Sequence, residues 1–277
     1  MEQNIKKKNR VWIWVVIIVI GLVLIGAGAI CFNVFGMKSY NTDDINYEFE
    51  CNFSDLEIEN GVCNFNIVKS DDDKVYIKGT NVPEGRYTAK VQGGTLKIEY
   101  KERKWFNLIS FGSWNNENMG EITLYLPEKD FMSLEFDGGV GVNKISDVTV
   151  RKLDYDGGVG ENYFNNVKVL EDAELDFGVG ETQMESCVIQ RGDIDVGVGE
   201  LYFSGNILGD TSVDTGVGEV KMDIDGYRND YEINYDQGVG EVNINSGTES
   251  VTSSTMAATR IRLDLDCGIG DVTVNFK

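Results

Sequence analysis

Short stretches of alternating apolar and polar residues follow one another along most of the chain. Leu134-Glu135-Phe136 and Leu175-Asp176-Phe177 are two examples. A period of two places one row of side chains in a core and the next in solvent, which is typical of half-buried β-strands. No segment after Phe35 shows a helical period with capping residues. The pattern therefore predicts an all-β fold for most of the chain.

A Gly-Val-Gly motif separates these stretches and occurs seven times, with Ile in place of Val in the last copy. Successive copies are 19, 20, 19, 19, 22 and 30 residues apart. A repeat of about 20 residues with a strand on each side of the motif predicts a single-stranded β-helix, or β-solenoid, of about 19–22 residues per coil. The motif glycines are Gly139, Gly141, Gly158, Gly160, Gly178, Gly180, Gly197, Gly199, Gly216, Gly218, Gly238, Gly240, Gly268 and Gly270.

These glycines are predicted to be structural corners, because a sharp corner needs a positive φ or a close backbone approach. The Val between them is expected to point inward as an apolar ladder. Residues 56–67 match the repeat, with Cys63 at the second glycine. The 78 residues from Gly61 to Gly139 then correspond to about four coils, and the whole repeat region to about eleven. Stacking in chain order would leave the coil that ends at Lys277 exposed.

The N-terminus carries the one long apolar segment. Lys6, Lys7, Lys8 and Arg10 precede an uncharged run over 11–35. We predict a cytoplasmic basic tail (1–10), a transmembrane signal-anchor helix (11–32), a linker (33–46) and an extracytoplasmic solenoid (47–277). Two alternatives are a signal peptide cleaved near Ala27-Gly28-Ala29 and a lipoprotein modified at Cys31.

Composition and charge narrow the function classes. The chain has no His, which excludes His-based catalysis and His metal ligands. Its formal net charge is −21, and residues 133–277 hold 10 Lys and Arg against 28 Asp and Glu. Because nucleic-acid binding requires clustered cations, we expect no nucleic-acid partner.

The Leu-x-Ile-x-Asn-Gly opening at 56–61, the recurrent Gly-Val-Gly-Glu unit and the single N-terminal span resemble a bacterial family known as the putative adhesins. That family consists of domains of unknown function that are widespread in Gram-positive bacteria, and the similarity covers residues 47–277. The resemblance implies a membrane-anchored surface β-solenoid, and some members resemble accessory proteins of cell-envelope stress operons. It implies no catalytic residues. Many members have Gly-Ser-Gly-Asp at the corner, whereas this chain has Gly-Val-Gly-Glu.

A ladder of carboxylates is the candidate metal site. Calcium prefers several oxygen ligands, and in-register carboxylates would lie about 5 Å apart. The other interpretation is a solvated acidic face that keeps the domain soluble. A second column is expected from Asp154, Asp176, Asp195, Asp214 and Asp264, with Glu135 and Asn234 at equivalent positions. The candidate calcium ligands are Glu161, Glu181, Glu200, Glu219, Glu241 and Asp271.

An apolar segment over 101–119 interrupts the strand pattern, and we interpret it as an inserted loop. Trp105, Phe106, Phe111 and Trp114 follow basic residues there, which suits contact with a membrane or partner. The alternative is a loop that covers the flank of the solenoid. Among the cysteines, Cys51 and Cys63 are close enough in sequence to pair, and the default is buried free thiols.

Together these features predict a non-catalytic interaction or scaffold module at the cell envelope, without a cofactor. Its expected partners are its own membrane and an envelope protein or surface ligand. A calcium-dependent adhesin rod is the alternative. A carbohydrate-active β-helix enzyme ranks third, because no Asp/Arg cluster recurs at one place in the repeat.

Overall fold

The computed structural model describes residues 41–101, 119–246 and 260–277, and this part of the chain is all-β, as predicted. Apart from one 3-10 turn at Arg228–Asp230, its regular structure consists of strands. The predicted span (11–32) and the aromatic residues of the 101–119 segment lie outside the described residues. None of the described segments forms an apolar helix long enough to cross a membrane. The strands are β1 (Thr42–Glu50), β2 (Asp55–Glu59), β3 (Asn64–Lys69), β4 (Lys74–Pro83), β5 (Tyr87–Gln92), β6 (Thr95–Tyr100), β7 (Glu121–Leu126), β8 (Asp130–Asp137), β9 (Val140–Ser146), β10 (Thr149–Asp156), β11 (Val159–Asn165), β12 (Lys168–Asp176), β13 (Val179–Ile189), β14 (Gly192–Ile207), β15 (Thr211–Ile224), β16 (Tyr231–Val239), β17 (Val242–Asn245) and β18 (Ile261–Phe276).

Successive repeats in the middle of the chain pair in parallel with an offset of one repeat. Val159 lies in register with Val140 on one side and with Val179 on the other. The same offset continues through β14 and β15, where Val198 pairs with Val179 and Val217. Equivalent side chains therefore form continuous columns that run across the sheet.

The spatial order of the repeats departs from chain order at both ends. β15 pairs with β18, which in turn pairs with β16 and β17, so the last repeat in sequence lies inside the one before it. At the other end β2 and β3 pair directly with β8 and β9, across 78 residues. The expected four coils between Gly61 and Gly139 and the exposed last coil at Lys277 are therefore wrong. Within the described ranges nine repeat layers stack, rather than eleven.

The N-terminal part contributes antiparallel strands that the repeat pattern does not predict. β1 pairs with β4, β4 pairs with β7, and β5 pairs with β6, all antiparallel. β6 and β7 also pair in parallel with β2 and β3, so they form the terminal layer at this end. This end of the stack is thus covered by β1, β4 and β5, whereas the other ends at β16 and β17.

The core lies between two inward-facing sets of columns. One contains Ile58, Phe136, Tyr155 and Leu175 in register, and each of these side chains is at most 1% exposed. The rings of Tyr155 and Phe164, from opposite sides of the core, meet edge to face with centroids 4.9 Å apart. Burial of these apolar columns supplies the main stabilisation of the stack.

The corner glycines allow adjacent repeats to approach closely. At all fourteen positions an added Cβ would lie 2.5 Å or less from a backbone oxygen of the neighbouring repeat. A Cβ added at Gly180, where φ is +147°, would collide with the carbonyl oxygen of Gly160.

In three repeats a hydrogen bond from the corner backbone to an Asp side chain also stabilises the corner. Asp156 accepts a 2.9 Å hydrogen bond from the backbone N–H of Gly158, and Asp137 and Asp176 make the equivalent bond.

The corner valines point outward, so the expected inward ladder is wrong. Val159, Val179, Val198 and Val239 are 49%, 43%, 44% and 51% exposed. The inward-facing parity changes at the corner, from odd residues such as Tyr155 before it to even residues such as Phe164 after it, and Val159 follows the strand after the corner, where it lies on the same side as exposed Glu161.

Candidate functional site

The corner presents three parallel columns of side chains along the repeats. We name them by their commonest residue. The valine column consists of Val62, Val140, Val159, Val179, Val198, Val217, Ile269 and Val239. The aspartate column consists of Glu59, Asp137, Asp156, Asp176, Asp195, Asp214, Asp266 and Asp236. The glutamate column consists of Glu161, Glu181, Glu200, Glu219, Asp271 and Glu241.

The glutamate column brings together all six candidate calcium ligands. Glu161, Glu181, Glu200 and Glu219 lie in consecutive layers, and Asp271 follows Glu219 because β18 packs on β15. The side chain of Asp271 accepts a 2.9 Å hydrogen bond from the backbone N–H of Glu241 in the terminal layer. All six residues are exposed. In the described part of the chain, no three Asp, Glu or Cys side chains are grouped so that they could hold a metal ion.

The second acidic column differs from the one expected. Asp154 pairs with Glu135 and Glu174, whereas Asp176 pairs with Asp156 and Asp195. The expected column thus mixed two registers that are two residues apart. The correct register of this column is visible in the sequence, because every member of the aspartate column lies two residues before the first corner glycine of its repeat.

Electrostatic repulsion acts within the aspartate column. Burial raises the pKa of Asp195, and the charges of Asp193 and Asp176 raise it further. Burial also raises the pKa of Asp214, to which Asp195, Asp266 and Asp193 add. Proximity of like charges disfavours the ionised form, so protonation of either side chain relieves part of the repulsion.

The valine column separates the two acidic columns. In each repeat the apolar residue lies three positions after a member of the aspartate column and two before the position of the glutamate column. Backbone N–H groups of the column are already paired: those of Val159, Val179 and Val198 each donate a 2.9 Å hydrogen bond to a glycine oxygen of the preceding repeat. The surface therefore offers apolar side chains and carboxylates rather than free backbone groups.

The four described cysteines are all free, and Cys51 and Cys63 do not pair. Cys63, Cys187 and Cys267 are buried. Burial raises the pKa of Cys63 and of Cys187 to about 11, so both thiols stay protonated at neutral pH. These side chains act as small apolar core residues.

A search of protein families found no family that matches the chain, and a search of curated proteins found no match either. Several solved structures resemble the fold. A putative cell adhesion protein from Clostridium sporogenes is 18% identical, with a TM-score of 0.36, over 86% of this chain and 100% of that one. A putative adhesin from Bacteroides fragilis is 15% identical, with a TM-score of 0.42, over 85% and 98%. A putative lipid binding protein from Parabacteroides distasonis is 16% identical, with a TM-score of 0.29, over 86% and 98%. Similarities this distant assign neither a family nor an activity to the chain.

Proposed function

We propose that this protein is a non-catalytic, membrane-anchored cell-surface module, whose repeats form a β-solenoid that serves as an interaction or scaffold surface at the cell envelope. The observation that supports it is the alignment of equivalent side chains into long columns on one exposed corner. Stacked repeats present extended binding surfaces of this kind. The resemblance to membrane-anchored accessory proteins suggests a role in envelope-stress sensing as the finer function.

The connections of the chain support one orientation toward the membrane. β1 begins at Thr42, ten residues after the predicted span, and it covers the N-terminal end of the stack. β6 and β7 form the terminal layer at this same end, and the aromatic 101–119 segment connects them. We therefore propose that this end faces the membrane and that β16 and β17 lie at the distal end.

Protease accessibility in intact bacteria tests the topology. We would express the full chain with a C-terminal epitope tag in a Gram-positive host and treat washed cells with proteinase K. We expect to find the tag in the membrane fraction of untreated cells. We also expect proteinase K to remove the tag from intact cells. A tag that is protected until lysis would contradict the orientation, and a tag found in the medium would favour the cleaved signal peptide.

Tryptophan quenching tests the proposed contact of Trp105 and Trp114 with the membrane. In the variant Trp12→Phe/Trp14→Phe, these two are the only tryptophans of the full chain. We would reconstitute this variant into liposomes with and without brominated phosphatidylcholine. Quenching by the brominated lipid is expected if the segment inserts between the lipids. Emission that is unchanged would assign the segment to the flank of the solenoid.

A calcium-dependent adhesin rod is the second candidate, favoured by the in-register glutamate column. It requires calcium to stabilise the stack beyond simple screening of charge. An enzyme acting on wall polysaccharide ranks third. Release of reducing ends from purified cell walls by the full chain would overturn the non-catalytic proposal.

A further inference from the structure

The valine column is an apolar surface at the corner, in which Val159, Val179, Val198 and Val239 are exposed and the other four members are half-buried. It runs through eight layers, which at the usual strand spacing of about 4.8 Å makes it about 34 Å long. The core does not depend on it, because the inward-facing columns are filled by other side chains such as Tyr155 and Phe164. Continuous exposed apolar surface rimmed by polar groups is typical of interaction sites.

The charges on both sides define the partner's chemistry. Eight carboxylates of the aspartate column flank the valine column on one side, and six of the glutamate column on the other. A partner that buries the valines must therefore carry cations along both edges of an apolar ridge. A second copy of this chain is disfavoured, because it would bring identical acidic columns together and each copy carries a net charge of −21.

The repeat distance favours a helix over an extended strand. Side chains on one face of a helix recur about every 5.4 Å, which lies close to the layer spacing of about 4.8 Å. In a strand the same face recurs only every 6.6–6.8 Å or so. Glu161 follows Asp156 by five positions, a span of at most about 17 Å that the corner shortens. A helix with its side chains is about 10–12 Å wide, which is below this upper limit.

We propose that the valine column is the docking surface for a cationic amphipathic α-helix of a partner protein. The apolar face of the helix contacts the valines, and Lys or Arg side chains on its two edges pair with the aspartate and glutamate columns. This inference rests on the proposed role as an interaction module but not on membrane anchoring, which the protease experiment tests separately.

Photo-crosslinking of a synthetic helix tests this docking. The probe is a fluorescein-labelled Leu/Lys peptide of about 18 residues, about 27 Å long as a helix, with benzoylphenylalanine in its apolar face. The full chain is used in a nonionic detergent, where a crosslinked band reports contact with protein rather than with micelles. The expected result is saturable crosslinking that mass spectrometry maps to the corner segments and that weakens with added salt.

Two variants with matched controls locate the site. Val159→Thr/Val179→Thr/Val198→Thr keeps the β-branched side chains that suit strands, and we expect it to raise the apparent Kd about tenfold. The control Leu170→Thr/Leu208→Thr replaces exposed apolar residues outside the valine column, and it should change the apparent Kd by less than about twofold. Glu181→Gln/Glu200→Gln should raise the Kd about threefold, and Glu185→Gln/Asp225→Asn, elsewhere on the surface, should leave it unchanged.

Three results would overturn the proposal. The first is a triple Val variant that binds the peptide with the wild-type Kd and unfolds at the wild-type temperature. The second is a scrambled peptide of the same composition that crosslinks as strongly as the amphipathic one. The third is a set of crosslinks that map away from the corner. If the triple variant fails to fold, unchanged affinity of Glu181→Gln/Glu200→Gln would also overturn it. None of these results would affect the topology measured by protease.

Discussion

The side-chain amide of Asn143 donates a 3.2 Å hydrogen bond to the side-chain oxygen of Asn162, which occupies the same register position in the next repeat. Asn60 donates in the same way to Asn143, and Asn162 donates to the hydroxyl of Thr182, so one buried polar ladder joins four layers. The hydroxyl of Tyr155 donates a further 2.6 Å bond to Asn162. Because an unpaired polar group in a core is costly, this ladder favours a single register of stacking.

Replacing Asn162 by Leu should destabilise the protein strongly. The substitution leaves the Asn143 amide and the Tyr155 hydroxyl without their acceptor, and we expect the free energy of unfolding to fall by about 2–4 kcal/mol. Tyr155→Phe removes the hydroxyl that donates to Asn162 but leaves the Asn143–Asn162 and Asn162–Thr182 bonds in place, so its cost should be about 1 kcal/mol. Urea unfolding of both variants followed by circular dichroism measures the difference. Equal stability of the two variants would contradict the role of the ladder.

Gly180→Ala should be far more damaging than Gly94→Ala. Both glycines have a positive φ, but an alanine Cβ at 180 would collide with the carbonyl oxygen of Gly160, whereas a Cβ at 94 meets nothing within 4 Å. We expect a loss of about 3 kcal/mol or more at 180 from strain and overpacking together. At 94 only backbone strain of about 1–2 kcal/mol applies. Thermal unfolding distinguishes the two, and similar transitions in both variants would show that the corner tolerates a side chain.

The sequence predicted the strands and corners because both depend on local rules. Alternation identifies a half-buried strand, and the glycine pair marks a corner that has no room for a Cβ. The direction of Val159 is not determined by alternation, because Val159 has the parity of buried Tyr155 in the strand before the corner and of exposed Glu161 in the strand after it. The inward side changes parity at the corner, which the local pattern does not specify. The buried position of Asn162, by contrast, was visible from its parity with Phe164.

The order of the terminal repeats could not be predicted in this way. The repeats over 231–245 and 261–276 carry the same apolar positions, for example Ile233 and Leu263, or Val242 and Val272. Either one can bury its inner face against β15, so the hydrophobic pattern does not distinguish the two orders. The spatial order of the last three repeats therefore depends on tertiary packing that the local sequence pattern does not specify.

Asp195→Asn/Asp214→Asn should stabilise the protein at neutral pH. Burial and neighbouring aspartates raise the pKa of both carboxyl groups, so their ionised forms oppose folding above the folded-state pKa. The variant removes these charges, and we expect a transition about 1–3 °C higher than that of the wild type at pH 7. As the pH falls through the folded-state pKa values, the wild-type side chains become neutral and the difference should shrink. A difference that stays constant between pH 7 and pH 4 would show that charge is not its cause.

Calcium and magnesium should stabilise the stack equally. Exposed carboxylate columns attract any divalent cation, and both ions screen the repulsion to a similar degree. We expect the two chlorides at equal concentration to raise the thermal transition of the full chain by the same amount. Glu181→Gln/Glu200→Gln should lower both responses alike. A larger, saturable shift with calcium that this variant abolishes would instead support the calcium-dependent rod.

Engineered disulfides should reveal the order of the last three repeats. Ser212 lies in register with Asp264, and Asp264 lies in register with Asn234. Adjacent layers are about 4.8 Å apart, within the Cα distances of a disulfide, whereas Ser212 and Asn234 are separated by two layers, or about 10 Å. Mild oxidation of the full chain should therefore link Ser212→Cys/Asp264→Cys but not Ser212→Cys/Asn234→Cys.

The pair Asn234→Cys/Asp264→Cys is the positive control, because these positions are neighbours in either order of stacking. Peptide mapping under non-reducing conditions identifies each link despite the free native thiols, of which Cys63, Cys187 and Cys267 are buried. If the repeats stacked in chain order, Ser212→Cys/Asn234→Cys would form the link and Ser212→Cys/Asp264→Cys would not. The two orders thus give opposite results with the same three positions, and the outcome decides which strand ends the stack and which face of it a partner can reach.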